Sequence, residues 1–533
     1  MRKNKLAKLN IEVAKKNLIN FCESDGYLYL YGAGYWGGKL YELIRNWGYD
    51  VKGFVVTQSD ERKNYYDLPI IEAKNLINQS AENDTINIIM AFENPDSSYY
   101  REMFSEKRFA LYFMSVDIMS ELVNEQGYNH LLELLNLEHG LTIKKRETEN
   151  IKLLLIRLDV IGDLVCTTAT VREIRHNFPE ANITLVINSK FIGLFEESPY
   201  IDELVGYDCH LDVNGLYERL SDADKDAERV KQFIHQHKFQ EKKFDMVFLP
   251  RALMTGSSCI EELMLAVFCN CGERIGHMID MHSSDFEEEQ YHFLKEYFTL
   301  LPLQHNECHE TDYQLDMLEK KGLIVSNRKN ELWVSESSLN EAKNLLKVHL
   351  LNKKCKLIAL GIVGSKAVKN WDKELFCDFI QKVNNIFCNK YCFLIMGGAD
   401  AADTAKYIVS KTDNCIDFTG KTNIKVSVAL IKCCEIYVGI DTGLMHIADA
   451  LGKPSIALYH SLPDRHGVTS YGPVRWGAHT KHSIIIEPQK GIDGCSMYCR
   501  KEYAHCINTI SPDLVFSKFK GLIYELEKEI GIG

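Results

Sequence analysis

The sequence contains no long apolar run. Its best candidate, EELMLAVFCNC at 261–271, starts with two acids and is shorter than the roughly 18 apolar residues that a membrane-spanning helix requires. The chain also lacks an excess of positive charge, because 74 Asp and Glu residues outnumber 62 Lys and Arg residues and the formal net charge is −12. These absences exclude an integral membrane protein and an overall electrostatic footprint for nucleic acid. They still allow a local basic pocket and, at most, peripheral membrane contact.

Glycine and proline are sparse, at 33 and 11 residues, and no low-complexity tract or repeat of about 20 to 50 residues is visible. Apolar residues make up 46% and charged residues 26%, which is the composition of ordinary globular protein and excludes disordered, collagenous and fibrous chains. At about 150 residues per domain, a length of 533 residues predicts three or four globular units.

Seventeen cysteines are spread along the chain, and the opening MRKNKLAKLNIEVAKK has no apolar signal core. We therefore expect mostly reduced thiols and a cytoplasmic protein, which acts at most at the inner face of the cell membrane. One cluster, GCSMYCRKEYAHC, brings together Cys495, Cys499, His505 and Cys506. It is a candidate structural metal site, but its spacing is not a standard zinc spacing, so free thiols are the alternative.

The first segment, 1–140, contains YLYLYGAGYWGGKLYELIRNWGYDVKGFVV, which predicts a strand, a glycine turn, a helix and a second strand. Gly32, Gly34 and Gly37 fit the G-x-G-x-x-G spacing of dinucleotide-binding turns. The acid that holds a ribose at the end of the second strand is missing, because GFVVTQSD reaches an acid only at Asp60. The pattern fits either a dinucleotide site or a purely structural Rossmann-like turn.

The same alternation restarts twice. Residues 150–340 begin with the strand IKLLLIRL, a glycine-containing turn and an amphipathic helix, and residues 345–533 contain the short apolar strands CKLIALG, YCFLIMG, EIYVGID and PSIALYH. Strands that alternate with helices predict an α/β fold with parallel, doubly wound sheets. Such sheets bind ligands at the carboxyl ends of their strands, so the polar residues there are the candidate functional residues.

The first candidate lies in RLDVIGDLVCTT, where Gly162 and Asp163 follow an apolar strand and precede a helix. A carboxylate at this edge is suited to act as a general base. The alternative is that Asp163 only caps the helix, because Asp is a preferred N-cap residue.

Two loops of the third segment have residues suited to a nucleotide. In GIVGSKAVKNW, Ser365, Lys366 and Lys369 follow a strand and suit a diphosphate, although loop lysines are also commonly only solvated. In GGADAADTA, backbone can approach a nucleoside and a carboxylate can hold a ribose hydroxyl. The candidates in this loop are Gly397, Gly398 and Asp400.

The strongest pattern is YVGIDTGLMHIADALGKPSIALY. Asp441 ends a strand, Thr442 and Gly443 form the turn, and the following helix directs its N-terminal N–H groups and dipole at the strand ends. His446 lies one turn into that helix. We interpret it as a ligand contact, with a structural histidine as the alternative.

Read together, these motifs resemble glycosyltransferase family 9, the bacterial ADP-heptose heptosyltransferases of lipopolysaccharide core synthesis. The likeness begins at IKLLLIRLDVIGDLVCTTATVREIRHNF, includes ERIGHMI and continues through GSKAVKNW, MGGAD, FTGKTNI and VGIDTGLMHIADALGKPSIALY in the order of the family. The resemblance implies a GT-B fold, with two facing Rossmann-like domains at 150–340 (acceptor side) and 345–533 (nucleotide-sugar side). Residues 1–140 are then an additional Rossmann-like domain.

The resemblance also implies roles for the site residues. Asp163 resembles the catalytic base of the family, Lys369 its diphosphate-binding lysine, and the Asp441 to His446 segment its donor-binding loop. The implied activity is inverting transfer of a sugar, by default heptose from ADP-heptose, to lipopolysaccharide or another surface glycan, or to a protein. We expect no metal in the chemistry. Two alternatives remain: an NAD-dependent sugar-modifying enzyme that uses the N-terminal glycines, and a non-catalytic module of glycan assembly.

Overall fold

The structure, a computed structural model, contains two compact units. Unit one comprises residues up to 138 with short pieces of 215–228 and 282–293, and unit two comprises the rest of the chain. The described residues are 14–33, 35–57, 63–81, 83–92, 98–106, 108–115, 135, 151–209, 223–252, 259–279, 295–303, 308–350, 354–463, 472–492 and 503–532.

Unit one is built on a first sheet of six strands in the order β3-β4-β2-β1-β5-β6, parallel except for the short β3. The strands are β1 (Tyr27–Tyr31), β2 (Val51–Val56), β3 (Asn64–Tyr65), β4 (Leu68–Glu72), β5 (Ile86–Phe92) and β6 (Phe109–Ser115). The helices between them are α1 (Tyr35–Asn46), α2 (Ala73–Gln79) and α3 (Ser98–Met103).

Unit two begins with a second sheet in the order β12-β11-β10-β7-β8-β9. Its strands are β7 (Lys152–Arg157), β8 (Asn182–Asn188), β9 (Glu203–Tyr207), β10 (Phe244–Ala252), β11 (Cys271–Ile279) and β12 (Thr299–Leu303). The helices of this part are α4 (Ile161–Cys166), α5 (Thr168–Asn177), α6 (Ala223–Gln236, which belongs to unit two from residue 229 on), α7 (Phe239–Lys242), α8 (Cys259–Phe268) and α9 (Glu310–Lys320).

A third sheet follows in the order β15-β14-β13-β16-β17-β18. Its strands are β13 (Lys356–Gly361), β14 (Tyr391–Met396), β15 (Cys415–Asp417), β16 (Ile436–Ile440), β17 (Ser455–Leu458) and β18 (Ser483–Ile486). Its helices are α10 (Glu336–Leu350), α11 (Lys373–Ile386), α12 (Ala402–Lys411), α13 (Ile424–Cys433), α14 (Gly443–Ala450), α15 (Pro473–Trp476) and α16 (Pro512–Ile532).

The second and third sheets are parallel throughout and have the strand order of a Rossmann fold, 3-2-1-4-5-6 when each is counted along its own sequence. The order reverses between β7 and β10 in one sheet and between β13 and β16 in the other. Ligands of open parallel sheets bind at such reversal points, which lie at the strand ends that carry the candidate residues. The predicted α/β class is confirmed, while the predicted domain boundaries remain predictions.

The inner strands of the two sheets of unit two are continuous runs of mostly apolar residues. Every residue of β14 and β16 is buried, and so is every residue of β7 and β13 after the first, as expected for sheets with helices on both faces. One apolar cluster runs from the second sheet to the third through Leu155, Leu164, Met445 and Tyr437. The two halves of this unit therefore share a core. Among the described residues, none of the helices has the length and hydropathy of a membrane span.

Buried Arg274 of β11 closes the end of helix α8. Its guanidinium donates to the carbonyl oxygens of Ala266 (2.7 Å), Val267 (3.0 Å) and Cys269 (2.8 Å). The last carbonyls of a helix have no partner within the helix, and burial removes water as the alternative. Arg274 therefore fixes α8 against the second sheet.

We expect Arg274→Met to destabilise the protein, because it leaves three buried carbonyls without these donors. The free energy of unfolding of unit two should fall by roughly 2–4 kcal/mol, measured by urea denaturation. Arg328→Met is the matched control, since Arg328 forms surface ion pairs with three acids of α9. Equal midpoints for the two variants would contradict the assignment.

Candidate functional site

Helix α4 begins directly after β7 and carries two of the predicted residues. Gly162 and Asp163 lie in its first turn. The N-cap residue is Val160 and no side chain caps this helix, so Asp163 does not serve as its N-cap. Its carboxylate is thus available for another role at the carboxyl end of the strand.

The Asp163 carboxylate lies beside a buried arginine. Arg157, the last residue of β7, is 1% exposed, and its Nη2 is 2.9 Å from Asp163 Oδ1. The Asp163 side chain is 18% exposed. Burial raises the pKa of Asp163, and the negative charge of Glu310 adds to this, whereas Arg157 and Arg475 act in the opposite direction. A carboxylate with a raised pKa is a better proton acceptor than an ordinary one.

Glu310 connects two arginines. Its Oε1 is 3.1 Å from Arg157 Nη2, and its Oε2 accepts hydrogen bonds from Arg475 Nε (3.0 Å) and Nη2 (2.8 Å). Burial alone would raise the pKa of Glu310, but Arg475 and Arg157 together lower it to about 2. The sequence reasoning missed these three residues. A local signal was present at Arg157 alone, which follows the four apolar residues Leu153–Ile156 at the end of β7.

On the third sheet, Lys369 lies next to Asp441. Lys369 Nζ is 2.6 Å from Asp441 Oδ2, and Asp441 is buried at the end of β16. The pair joins the loop after β13 to the loop after β16, on both sides of the reversal point. Ser365 of the first loop is exposed. The lysine is therefore held at the strand ends and is not a freely solvated loop lysine.

Thr442 and Gly443 form the start of α14. Thr442 is the N-cap residue, and its hydroxyl accepts a hydrogen bond from the N–H of Leu444 at 3.2 Å. Gly443 is the first residue of the helix. The N-terminal N–H groups and the positive end of the helix dipole thus face the strand ends beside Lys369, which suits an anion.

His446 belongs to α14, and its ring contacts α4 at Gly162. A β-carbon at Gly162 would lie 2.8 Å from His446 Cδ2, and one at Gly443 would lie 2.7 Å from Ile161 Cβ, so each glycine admits the opposite helix closely. His446 Nδ1 is 3.8 Å from the Cys166 thiol, and the ring is buried. The structure thus places the histidine in a helix–helix contact. Its predicted role toward a ligand remains a prediction.

The GGAD loop lies at the carboxyl end of β14, one strand beyond β13. Gly397 has a φ of +156°, and its carbonyl accepts a hydrogen bond from the N–H of Gly420 at 3.0 Å. Gly398 precedes a single 3-10 turn, and Asp400 within that turn is exposed. These residues follow β14, one strand away from the reversal point of the third sheet. Lys369, Asp441 and Gly443 border that point, and Asp163 borders the reversal point of the second sheet.

The glycines of unit one pack a helix on a strand. Gly32 has a φ of +103°, and a β-carbon at Gly37 would lie 1.9 Å from the carbonyl oxygen of Gly32. Gly34 and Asp60 lie outside the described residues. The positive φ accounts for Gly32 and close packing accounts for Gly37, in both cases without a ligand, and the nicotinamide alternative stays a prediction.

The predicted metal cluster lies largely outside the described residues, because Cys495 and Cys499 are not among them. Cys506 is buried, and its thiol is 3.0 Å from His505 Nδ1. Within the described part of the chain, no three His, Cys, Asp or Glu side chains are grouped to hold a metal ion. The cluster remains a candidate.

Comparison with known proteins shows a likeness to one family of glycosyltransferases. Residues 273–486 match the family model for glycosyltransferase family 9 (heptosyltransferase). Lipopolysaccharide heptosyltransferase 3 of Escherichia coli is 22% identical over 304 residues, which are 56% of this chain and 80% of the relative. This chain is a glycosyltransferase that is similar to the heptosyltransferases of family 9.

Solved structures support the fold of this glycosyltransferase. A family 9 glycosyl transferase from Veillonella parvula DSM 2008 matches 72% of the chain and 100% of its own, with a TM-score of 0.55 and 20% identity. ADP-heptose lps heptosyltransferase II of E. coli matches 71% and 100%, with a TM-score of 0.51 and 17% identity. The predicted GT-B fold of two facing Rossmann-like domains is confirmed.

We expect His446 to make the glycosyltransferase sensitive to acid. Burial lowers the pKa of His446 to about 4, while the unfolded chain takes up the proton near pH 6.5. Stability is therefore lost as the pH falls below about 6.5 towards 4. His446→Asn should remove about 2 kcal/mol of the stability difference between about pH 7.5 and pH 5, measured by urea unfolding. Exposed His235→Asn is the control. A pH dependence identical to that of the unaltered chain would contradict the assignment.

Proposed function

We propose that this glycosyltransferase moves a heptose from ADP-heptose to an acceptor hydroxyl, with inversion at the anomeric carbon. One observation carries the proposal: α4, which holds Asp163, packs directly on α14, the helix of the donor loop. The close contacts of Gly162 with His446 and of Gly443 with Ile161 bring the two helix starts together. A proton acceptor and an anion site thus lie within one helix–helix contact.

The transfer needs a base and a stabilised leaving group. Asp163 accepts the proton of the acceptor hydroxyl while the acceptor oxygen bonds to the anomeric carbon, and the bond from that carbon to the phosphate oxygen breaks. The electron pair leaves with ADP. Lys369 and the N–H groups at the start of α14 stabilise the charge that builds on the diphosphate. These groups meet the demand for positive charge with residues of the chain itself.

Asp441 positions the lysine in this scheme. Its carboxylate, 2.6 Å from Lys369 Nζ, holds the ammonium beside the start of α14 in the absence of donor. A diphosphate carries more negative charge than one carboxylate, so it competes for the same lysine. Asp441 thereby reduces the entropic cost of ordering the Lys369 side chain when the donor binds.

For the acceptor, we propose lipopolysaccharide core or a related surface glycan. Proteins that this chain is similar to include lipopolysaccharide and lipooligosaccharide heptosyltransferases, which supports this choice. Such acceptors are glycolipids, so the proposal includes peripheral contact with the inner face of the cell membrane.

Substitutions at Asp163 and Lys369 separate the two roles. We expect Asp163→Asn to lower kcat by about 10²- to 10⁴-fold and to leave the Kd for ADP within about twofold, because the amide cannot take the proton. Lys369→Met should weaken ADP binding by about tenfold or more, because it removes a charge-assisted contact. ADP release and isothermal titration calorimetry measure the two effects.

Asp378→Asn, at an exposed position of α11, is the matched control for the acid-to-amide change. Full turnover in the Asp163 variant would rule out its role as base. No heptose transfer by the unaltered chain, with ADP-heptose and a panel of core acceptors, would count against the proposed donor and acceptor.

A further inference from the structure

A row of four charged side chains crosses unit two. It runs from Asp163 to Arg157 (2.9 Å), from Arg157 to Glu310 (3.1 Å) and from Glu310 to Arg475 (2.8 Å). The first three belong to the half built on the second sheet, on α4, β7 and α9. Arg475 belongs to α15, between β17 and β18 of the third sheet. The last ion pair therefore joins the two halves.

Arg475 is fixed by more than its ion pair. Its guanidinium lies 5.5 Å from the ring centre of Tyr313, one turn beyond Glu310 on α9, and 5.3 Å from that of Trp476. Trp476 in turn meets His446 edge-on, with ring centres 6.2 Å apart. Two hydrogen bonds to one oxygen of Glu310 and contacts with two aromatic rings thus fix the orientation of Arg475 against α9.

We propose that Glu310 and Arg475 form a positioning pair that couples Asp163 to contact between the two halves of unit two. The proposal rests on the proposed role of Asp163 as base. Neither residue of the pair needs to touch a substrate, because both act on Asp163 through Arg157.

The coupling follows from sharing a single nitrogen. Arg157 Nη2 donates one N–H to Asp163 and the other to Glu310, so the two carboxylates share the position of one guanidinium. When the halves meet, Arg475 takes the other oxygen of Glu310 and balances its charge. Arg157 is then left to orient Asp163. When the halves separate, Glu310 loses this partner and draws Arg157 away from Asp163.

The charges around Asp163 predict that loss of the Glu310 charge and loss of the Arg475 charge change the pKa of Asp163 in opposite directions. The negative charge of Glu310 acts to raise the pKa of Asp163, and the positive charges of Arg157 and Arg475 act to lower it. Removal of the Glu310 charge should therefore make Asp163 a weaker base. Removal of the Arg475 charge should make it more readily protonated.

The other titratable groups near these four side chains do not reverse the expected changes in the pKa of Asp163. Burial keeps the Cys166 thiol neutral and holds the pKa of His277, of His446 and of His309 below the ordinary value. These three imidazoles are neutral near pH 7. Two further acids act on Arg157, namely Asp159 (2.7 Å from Nε) and Glu262.

The test is the pH dependence of kcat/KM in the full-length protein for the unaltered chain, Glu310→Gln and Arg475→Gln. The acidic limb reports the protonation of the base in the free enzyme. We expect this limb to move to lower pH in Glu310→Gln and to higher pH in Arg475→Gln, each by about 0.5 to 1 pH unit. Arg328→Gln, which removes a surface arginine paired with the same helix α9, should leave the limb unchanged.

A merely structural ion pair predicts a different result. In each variant, kcat/KM would then fall by the same factor at every pH, and the acidic limb would stay at its original pH. This outcome would overturn the proposal. Binding of ADP, measured by calorimetry, identifies a variant that has failed to fold. In that case, Glu310→Asp or Arg475→Lys replaces the unfolded variant. Glu310→Asp shortens the side chain but keeps its charge. We expect the acidic limb to move in the same two opposite directions, by smaller amounts.

A readout without turnover separates this proposal from the proposed function. Hydrogen exchange of the peptide that covers 161–166 should be faster in Glu310→Gln and Arg475→Gln than in Arg328→Gln, because α4 keeps its packing on α14 but loses the charged link that runs through Arg157, Glu310 and Arg475. If the unaltered chain transfers no heptose, the proposed function fails and exchange alone decides the coupling. Equal exchange in all three variants would then overturn it.

Discussion

Everything at the site depends on how closely α4 and α14 approach. Two glycines permit the contact: a side chain at Gly162 would collide with the ring of His446, and one at Gly443 would collide with Ile161. Each helix starts at the reversal point of its own sheet, so their contact brings the two crevices together. Without it, Asp163 and the Lys369–Asp441 pair would be two unrelated features on two separate sheets.

The second constraint is the cost of burying charge at this contact. Arg157 is almost fully buried, and an unpaired charge there would cost several kcal/mol, on the order of 3–5, so its position requires acids around it. Asp159, Asp163 and Glu310 supply them, and Arg251 pairs with Asp159 in turn. The network keeps an ionisable carboxylate at a water-poor strand end. That environment suits a base, because burial raises the pKa of Asp163 while one arginine keeps it oriented.

The sequence predicts the α/β fold and the candidate residues at the strand ends for one reason: both depend on local patterns. Apolar strands that alternate with helices predict parallel sheets, and polar residues at strand ends predict Asp163, Lys369 and Asp441. Glu310 and Arg475 could not be predicted in this way, because they lie 153 and 318 positions from Arg157 along the chain and only the folded unit brings them near it. The packing position of His446 on Gly162 depends on the same long-range contact.

The most direct test is a crystal structure of the full chain with ADP and with a non-transferable ADP-heptose analogue. The account predicts a diphosphate beside Lys369 and the first turn of α14, with the anomeric carbon facing Asp163 across the contact between the two halves. A nucleotide bound at the Gly32 turn of unit one, or a sugar directed away from Asp163, would contradict it.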